Sequence, residues 1–387
     1  MNTSFLHHIK EIEDGRIPGM TTYPLDEVLL TVLVGLLCRM DDFDEITMFA
    51  EEKIDWLRCF LPFASGIAPA QTLRRALRAL NPKALQTAFS SWVESLRTKV
   101  SNQGPGVVAI DGKTLRGSKQ EADGSGAFHI VSAYAHAAGL VLAARAVDAK
   151  SNEITAIPEL LNMLAIEGAI VTIDAMGTQK AIAEKIIDKK ADYLLALKEN
   201  QPDLYADVKE FFADAALFEQ CKEHHDTDTG HGRVEQRSAR VAEAAWLAER
   251  HPKWKGLRAI AAVTCQRTNK KTGTKSKETR FYISSLPPDP MIILEASRAH
   301  WSIENNLHWT LDVSFCEDDC RTRKDNSAIN LATLRHAALN ILKTEKSKLP
   351  IKRKRVKAAI SQEFRTSLFF SCNSPGSYIL SQSQFCH

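Results

Sequence analysis

Two aspartates each follow a short apolar run, 107–110 before Asp111 and 170–173 before Asp174. Such runs are typical of central β-strands, and an acid directly after one lies at the rim of the sheet. A third acid, Glu304, stands in a ten-residue segment, 300–309, that holds two His, two Trp and two Asn. Three carboxylates in these settings indicate a metal site that cuts and joins phosphodiesters.

That chemistry dictates the residue types. Cleavage with two Mg²⁺ ions needs hard oxygen ligands from several chain segments, one ion activating the attacking water or 3′-hydroxyl and the other stabilising the leaving oxygen. We assign Asp111 as the ligand shared between the ions, Asp174 as the second ligand and Glu304 as the third. Mn²⁺ can take the place of Mg²⁺ at such sites.

Each acid also has a simpler interpretation. Asp111 with Gly112 forms a common turn sequence after a strand, Asp174 suits the N-cap of a following helix, and Glu304 alone is one of many helical acids. These alternatives stay open at the level of sequence.

The surroundings of Glu304 favour a site. On an α-helix, His300, Glu304 and His308 share one face at i, i+4 spacing, with Trp301 and Asn305 beside them. The His-Glu-x-x-His motif of zinc enzymes is missing from this segment. We therefore interpret its His and Asn side chains as contacts to phosphate or to the base at the cleavage point.

The order of predicted elements explains how distant acids could meet. Strands are predicted at 107–110, 127–135, 140–147, 169–173 and 193–197, and helices at 154–164, 178–190 and 203–214. Three strands on short connections, then alternating helices and strands, predict a mixed α/β sheet in the order of the ribonuclease H-like fold. A central first strand paired with the fourth makes Asp111 and Asp174 neighbours.

The regions outside these strands and helices differ from them in composition. We predict an all-helical N-terminal domain over 1–100 for DNA-end binding, although its arginine-bearing helix face could equally be a plain solvated one. A catalytic domain follows over 101–345, in which 215–290 form a β-rich insertion with a basic hairpin. Residues 346–387 continue a basic run and end in an atypical, nearly uncharged tail.

Candidate DNA-binding residues lie in the loop after Asp111, in a donor-rich turn at 231–233, in the basic hairpin and around Glu304. For the loop and turn residues, an ordinary solvated position is an equally good interpretation. The set is Lys113, Arg116, His231, Arg233, Lys270, Lys271, Lys275, Lys277, His300, Asn305 and His308.

The bulk composition narrows the class of protein. The 387 residues, 44% hydrophobic and 25% charged, are typical of a globular protein with two or three domains. A net charge of only +3 does not by itself indicate a nucleic-acid partner. Eight cysteines without a C-x-x-C pair disfavour a zinc site and fit free thiols in a reducing cytosol. The apolar stretch 28–38 is too short for a bilayer, so we expect a core helix and a cytoplasmic protein without membrane contact.

The motifs together resemble the H-repeat-associated, ISAs-type family of bacterial insertion-sequence transposases, a DDE branch. The resembling segments are 109–116, 150–161, 172–177, 231–233 and 300–313. The resemblance implies a ribonuclease H-like catalytic domain with a helical N-terminal domain, in which Asp111, Asp174 and Glu304 take the D, D and E places. It also implies Mg²⁺-dependent cleavage at element ends and strand transfer, with double-stranded DNA (terminal inverted repeats and target) bound by a homodimer.

The chain departs from the broader DDE group at two positions. Leu311 stands where that group has a Lys seven residues after the third acid, and His300 stands in place of an Arg. The tail after about residue 366 does not resemble a family C-terminus. Three hypotheses therefore stand: an active DDE transposase, an inactive remnant that only binds DNA, and a related nuclease or resolvase without strand transfer.

Overall fold

A computed structural model describes residues 5–17, 19–100, 106–119, 126–147, 153–230 and 232–370. These residues form two compact units. A helical unit draws on Met1–Thr98, Leu115–Phe128 and Thr310–His387, and an α/β unit on Lys99–Thr114 and His129–Trp309. Within the described ranges, no helix is both long and apolar enough to cross a membrane.

The helical unit is built around two buried helices. Its helices are α1 (Phe5–Lys10), α2 (Leu25–Leu37), α3 (Phe43–Glu52), α4 (Ile54–Leu57), α5 (Ala70–Ala79), α6 (Pro82–Val100), α13 (Trp309–Phe315), α14 (Ser327–Thr344), α15 (Ile351–Ile360) and α16 (Gln362–Phe370). All of α2 except Asp26 is buried, which confirms the predicted core helix. Helix α14 packs against α2 and α5 and is buried along almost its whole length.

The α/β unit holds one nine-stranded sheet. Its strands are β1 (Val107–Thr114), β2 (His129–Ala135), β3 (Leu140–Val147), β4 (Ile170–Ile173), β5 (Asp192–Leu197), β6 (Lys222–Gly230), β7 (Arg233–Glu243), β8 (Ala259–Asn269) and β9 (Lys275–Ser284). Its helices are α7 (Glu153–Asn162), α8 (Lys180–Asp188), α9 (Pro202–Ala213), α10 (Ala215–Gln220), α11 (Ala245–Arg250) and α12 (Pro290–His300).

The sheet order is β3-β2-β1-β4-β5-β9-β8-β7-β6. Strand β2 runs antiparallel to β1 and β3, whereas β1, β4 and β5 run parallel to one another. This is the ribonuclease H-like arrangement with a central first strand, and it confirms the predicted mixed α/β fold. Strand β1 continues four residues beyond the predicted end at 110, because Asp111 to Thr114 pair with β2.

The predicted β-rich insertion forms four antiparallel strands that extend the same sheet, through pairing of β9 with β5. Helix α12 covers one face of this extension. Its Ile293, Leu294 and Ala296 pack in a buried cluster with Val241 and Tyr282 of the sheet. This apolar contact fixes the direction in which the chain leaves α12 toward Glu304.

The boundaries of the compact units differ from the domain boundaries predicted at residues 100 and 345. Residues 310–344 group with the N-terminal helices because α14 packs among them: the Asn330 side chain donates to the carbonyls of Leu77 and Leu80, each at 2.9 Å. Part of the basic run after 343 is also internal to this unit. Lys354 donates to the Leu342 carbonyl at 2.9 Å, and Arg355 is fully buried.

Candidate active site

Asp111 and Asp174 come from neighbouring parallel strands. Ile110 and Ile173 are aligned partners in the ladder between β1 and β4, and each aspartate is the next residue in the chain. Parallel strands present their carboxyl ends at one edge of a sheet, where ligands bind in open α/β folds. The predicted topology therefore places the two aspartates at the same edge of the sheet, next to one another in strand order.

The simpler interpretations of the two aspartates do not hold. Asp111 and Gly112 do not form a turn, because both pair with β2, opposite Ser132 and Val131. Asp174 is not the N-cap of α8, whose cap residue is Gln179. Its Oδ1 accepts a 3.2 Å hydrogen bond from the Gly177 amide instead, which orients the carboxylate in the loop after β4.

Glu304 reaches this region through the helices that follow the sheet. At the end of α12, His300 Nδ1 and Thr172 Oγ1 of β4 share a 3.0 Å hydrogen bond. The helix then breaks at Trp301, and Glu304–His308 form a π-helical turn. His308 Nδ1 lies 3.5 Å from Asp111 Oδ2. His300 thus contacts β4 and His308 contacts Asp111 of β1, and Glu304 lies between these two histidines in the chain.

The π-helical turn changes the predicted geometry of this segment. The expectation was one α-helical face carrying His300, Glu304 and His308 at regular spacing. A π turn inserts an extra residue and is frequent at functional sites. Here it separates the two histidines, one toward β4 and the other toward Asp111. No side-chain pattern in the sequence indicated this local irregularity.

The carboxyl groups sit in an unfavourable electrostatic environment. Burial first, then the charges of Asp174, Glu304 and Glu153, raise the pKa of Asp111 to about 7. Burial also raises the pKa of Asp174, with a contribution from Glu153, and that of Glu304, where Arg280 opposes the effect. Clustered acids with raised pKa values are a mark of functional sites, and a divalent cation would relieve their repulsion.

The donor chemistry fits a hard divalent cation, since carboxylate oxygens are its preferred ligands. The side chains nevertheless stand as a loose cluster. In the part of the chain that the structure describes, no three His, Cys, Asp or Glu residues are close enough together to hold a metal ion as they stand. The carboxyl groups would have to rotate inward to share an ion.

His300 is held in its neutral form. Burial, followed by the charge of Arg280, lowers its pKa to about 4. Its hydrogen bond to Thr172 fixes the ring against the sheet. A neutral ring can position the Glu304 segment without adding a positive charge. Asn305, its predicted companion at the DNA, is exposed and donates from Nδ2 to the Trp301 carbonyl at 3.0 Å.

The two basic residues after Asp111 fall in different units. Lys113 lies on β1 opposite Ile130, whereas Arg116 belongs to the helical unit, where its Nε is 3.6 Å from Asp318 Oδ2. His231 lies outside the described residues. Arg233 begins β7, and its Nε is 2.7 Å from Glu235.

The predicted basic hairpin exists and connects β8 to β9. Lys270 and Lys271 are exposed in its turn, and Lys275 and Lys277 are exposed on β9. Side chains alternate between the two faces of a strand. Lys275 and Lys277 therefore lie on the face opposite Arg280, which shares the face of Tyr282 and α12. The two β9 lysines point away from the face on which Glu304 sits.

Arginines, not lysines, accompany Glu304. A cavity of about 500 Å³ is lined by Glu304, Asn305, Trp301 and five arginines: Arg233, Arg237, Arg267, Arg280 and Arg298. Acidic partners neutralise part of this charge; Glu278, for example, accepts a 2.7 Å hydrogen bond from Arg280. The Arg280 guanidinium also stacks 4.1 Å from the Trp301 ring centre.

Four of these arginines were missed as candidate site residues. For two of them, Arg237 and Arg280, a signal is present in the sequence as charges at every second position: Arg233, Glu235 and Arg237 along β7, and Glu278 and Arg280 along β9. Period-two spacing puts such residues on one face of a strand. The sequence does not say which face the following helix covers, and that decides their place beside Glu304.

Comparison with known proteins identifies the family of the chain. The profile of the family described as "Transposase DDE domain" matches residues 102–341, and one described as "DDE_Tnp_1-associated" matches residues 6–93. The chain belongs to this DDE-domain transposase family.

Relatives in Escherichia coli match over nearly the whole chain. "Putative transposase YncI" of strain O157:H7 is 36% identical and covers 96% of both chains. "H repeat-associated putative transposase YhhI" of strain K12 is 36% identical over 94% of this chain and 97% of the relative. The resemblance to H-repeat-associated transposases seen in the sequence is thereby confirmed.

One solved structure with weak similarity to this chain is the "Cryo-EM structure of piggyBac transposase synaptic complex with hairpin DNA (SNHP)". It has a TM-score of 0.41 and 11% identity, covering 97% of this chain and 79% of that one. A likeness of this size carries no argument about the site.

Proposed function

We propose that this protein cleaves phosphodiesters at the ends of a bacterial insertion element and transfers the freed strand into target DNA. One observation carries the proposal: Asp111 and Asp174 follow aligned residues of adjacent parallel strands, and the segment of Glu304 reaches Asp111 through His308. The chain segments that carry the three acids therefore meet at one edge of the sheet, which supports the proposal.

In this proposal, Asp111, Asp174 and Glu304 hold two Mg²⁺ ions, for which Mn²⁺ can substitute. When bound, the ions would supply activation of the attacking oxygen and stabilisation of the leaving oxygen. The protein's own contribution is to orient the acids: the Gly177 amide fixes Asp174, and His308 lies against Asp111. His300, locked to Thr172, holds the start of the Glu304 segment on the sheet.

The DNA partners we propose are the terminal inverted repeats and the target duplex, with two copies of the chain joining paired ends. Two surfaces support contacts to phosphate. One is the arginine-lined cavity that contains Glu304, and the other is the exposed turn with Lys270 and Lys271. Guanidinium groups suit phosphate because they can donate two parallel hydrogen bonds.

The direct test uses the full chain, DNA carrying the flanking inverted repeats, and Mg²⁺. Wild-type protein should produce free 3′-hydroxyl ends and then joined products. Asp111→Asn should bind the same DNA but leave it uncut. Asp203→Asn, which changes an exposed acid on α9, is the matched control and should cleave normally.

Each outcome separates the hypotheses. Binding by wild-type protein without any nicking would identify a DNA-binding remnant. Hydrolysis without joining would identify a nuclease or resolvase. Normal nicking by Asp111→Asn would show that the metal site lies elsewhere and would refute the proposed centre.

A further inference from the structure

We infer that Glu153, which lies outside the three-acid set, is a positioning residue of this centre: it holds a negative charge directly behind Asp111 and thereby strengthens cation binding. The inference rests on the proposed function, because it presupposes that Asp111 is a metal ligand. It gives a role to a residue that lies in the resembling segment 150–161 and that belongs to neither of the apolar runs nor to the three acids of the DDE pattern.

The geometry is set by Gly112, the residue after Asp111. A Cβ atom placed on Gly112 would lie 2.3 Å from Glu153 Oε1 and 2.4 Å from His129 Nε2, both impossibly close. The missing side chain therefore leaves the space in which the Glu153 carboxylate lies against the backbone of β1. Glycine commonly marks a place where another group approaches the backbone closely.

A chain of hydrogen bonds holds the carboxylate there. Glu153 Oε1 is 2.6 Å from His129 Nε2, and His129 Nδ1 is 3.0 Å from Thr114 Oγ1. Thr114 and His129 are partners in the ladder between β1 and β2. Only 12% of the Glu153 side chain is exposed. The position of this charge is thus tied to the same strand that carries Asp111.

Strand alternation decides what Glu153 can do. Gly112, Thr114 and His129 lie on the sheet face opposite Asp111, because side chains alternate along β1 and aligned partners share a face. Glu153 therefore acts from behind the aspartate and is not a ligand on the side of Glu304. Its carboxylate lies against the backbone at Gly112, one residue from Asp111 in the chain.

A purely structural role is the competing explanation. Glu153 is the first residue of α7, where an acidic side chain is favourable, and its bond to His129 could simply anchor that helix. The two roles differ in what the charge does. If the Glu153 charge serves cation binding, it should destabilise the metal-free folded protein and strengthen metal binding. If Glu153 only anchors α7, it should stabilise the folded protein with or without metal.

The test measures Mn²⁺ binding to the full chain without DNA, by calorimetry, together with thermal unfolding in EDTA. Glu153→Gln keeps the shape and loses the charge. It should bind Mn²⁺ about ten-fold more weakly, within the range typical for groups behind metal ligands, and its unfolding temperature in EDTA should be unchanged or higher. Glu159→Gln, on the same helix and 57% exposed, should leave the Mn²⁺ affinity unchanged.

A second variant keeps the inference testable if Glu153→Gln is poorly folded. Gly112→Ala keeps the Glu153 charge but pushes the carboxylate away from β1, so it should also weaken Mn²⁺ binding. The double variant should bind Mn²⁺ no more weakly than the single variant with the larger effect. Unchanged Mn²⁺ affinity with a lowered unfolding temperature would overturn the inference. Unchanged affinity in Asp111→Asn would instead overturn the proposed centre itself.

Discussion

Asp111→Asn should stabilise the metal-free protein at alkaline pH, against the usual expectation for a substitution at a partly buried site. The carboxyl group of Asp111 is 18% exposed, and burial with three neighbouring acids raises its pKa from about 3.8 to about 7. At alkaline pH the folded protein therefore holds an ionised Asp111 carboxylate where burial and neighbouring acids disfavour ionisation. An uncharged amide of nearly the same shape removes that cost.

The sign and the pH window follow from the raised pKa. Because the folded protein binds this proton more tightly than the unfolded chain, stability is lost as pH rises from about 4 to about 7. The difference of 3.2 pH units, at about 1.36 kcal/mol each, sets an upper limit of roughly 4 kcal/mol. For a folding unit of this size, that limit corresponds to a rise on the order of 10 °C in unfolding temperature.

The assay is thermal unfolding of wild type, Asp111→Asn and the control Asp203→Asn in EDTA at pH 4.5 and pH 8. Asp111→Asn should exceed wild type at pH 8 and match it near pH 4.5. Adding Mg²⁺ at pH 8 should raise the wild-type transition and leave Asp111→Asn nearly unchanged. A lower transition for Asp111→Asn in EDTA, or a difference independent of pH, would refute the reasoning.

Three further predictions concern the basic residues. Arg355→Met should destabilise the protein by about 3–5 kcal/mol, since it leaves buried partners uncompensated, whereas Arg353→Met on the exposed face of α15 should have little effect in denaturant unfolding. Neutralising all four hairpin lysines together should flatten the salt dependence of DNA binding; these are Lys270, Lys271, Lys275 and Lys277. An unchanged slope of log affinity against log salt concentration would remove the hairpin from the interface. Arg280→Met should weaken binding to element-end DNA more than Lys277→Met on the other face of β9, and the reverse order in titrations at fixed salt would place the DNA on the opposite face.

Arg355 illustrates why a run of basic residues does not define a surface. The run from 343 to 357 has the composition of a nucleic-acid contact. In the helical unit, however, the Arg355 guanidinium donates to the Leu36 carbonyl at 2.8 Å and to Asp41 at 2.7 Å, and it stacks 4.2 Å from the Phe315 ring centre. Those partners come from α2, from the loop that follows it and from the end of α13, so only folding could reveal them.

The sequence alone determined the order of the elements and the two aspartates that follow the apolar runs. Apolar runs of strand length, helical spacing between them and the short connections allow few topologies, and these put Asp111 and Asp174 on neighbouring strands. The family followed from the motifs around them. These features are local or nearly so, and a single sequence records them directly.

The tertiary structure decided which side chains meet across the sheet. It placed Glu153 behind Gly112, put a π-helical turn at Glu304, and set arginines rather than the β9 lysines on the face of that glutamate. Each of these depends on which face of a strand a distant helix covers. Packing of that kind is settled by the summed burial of many apolar residues, and no single motif in the chain encodes it.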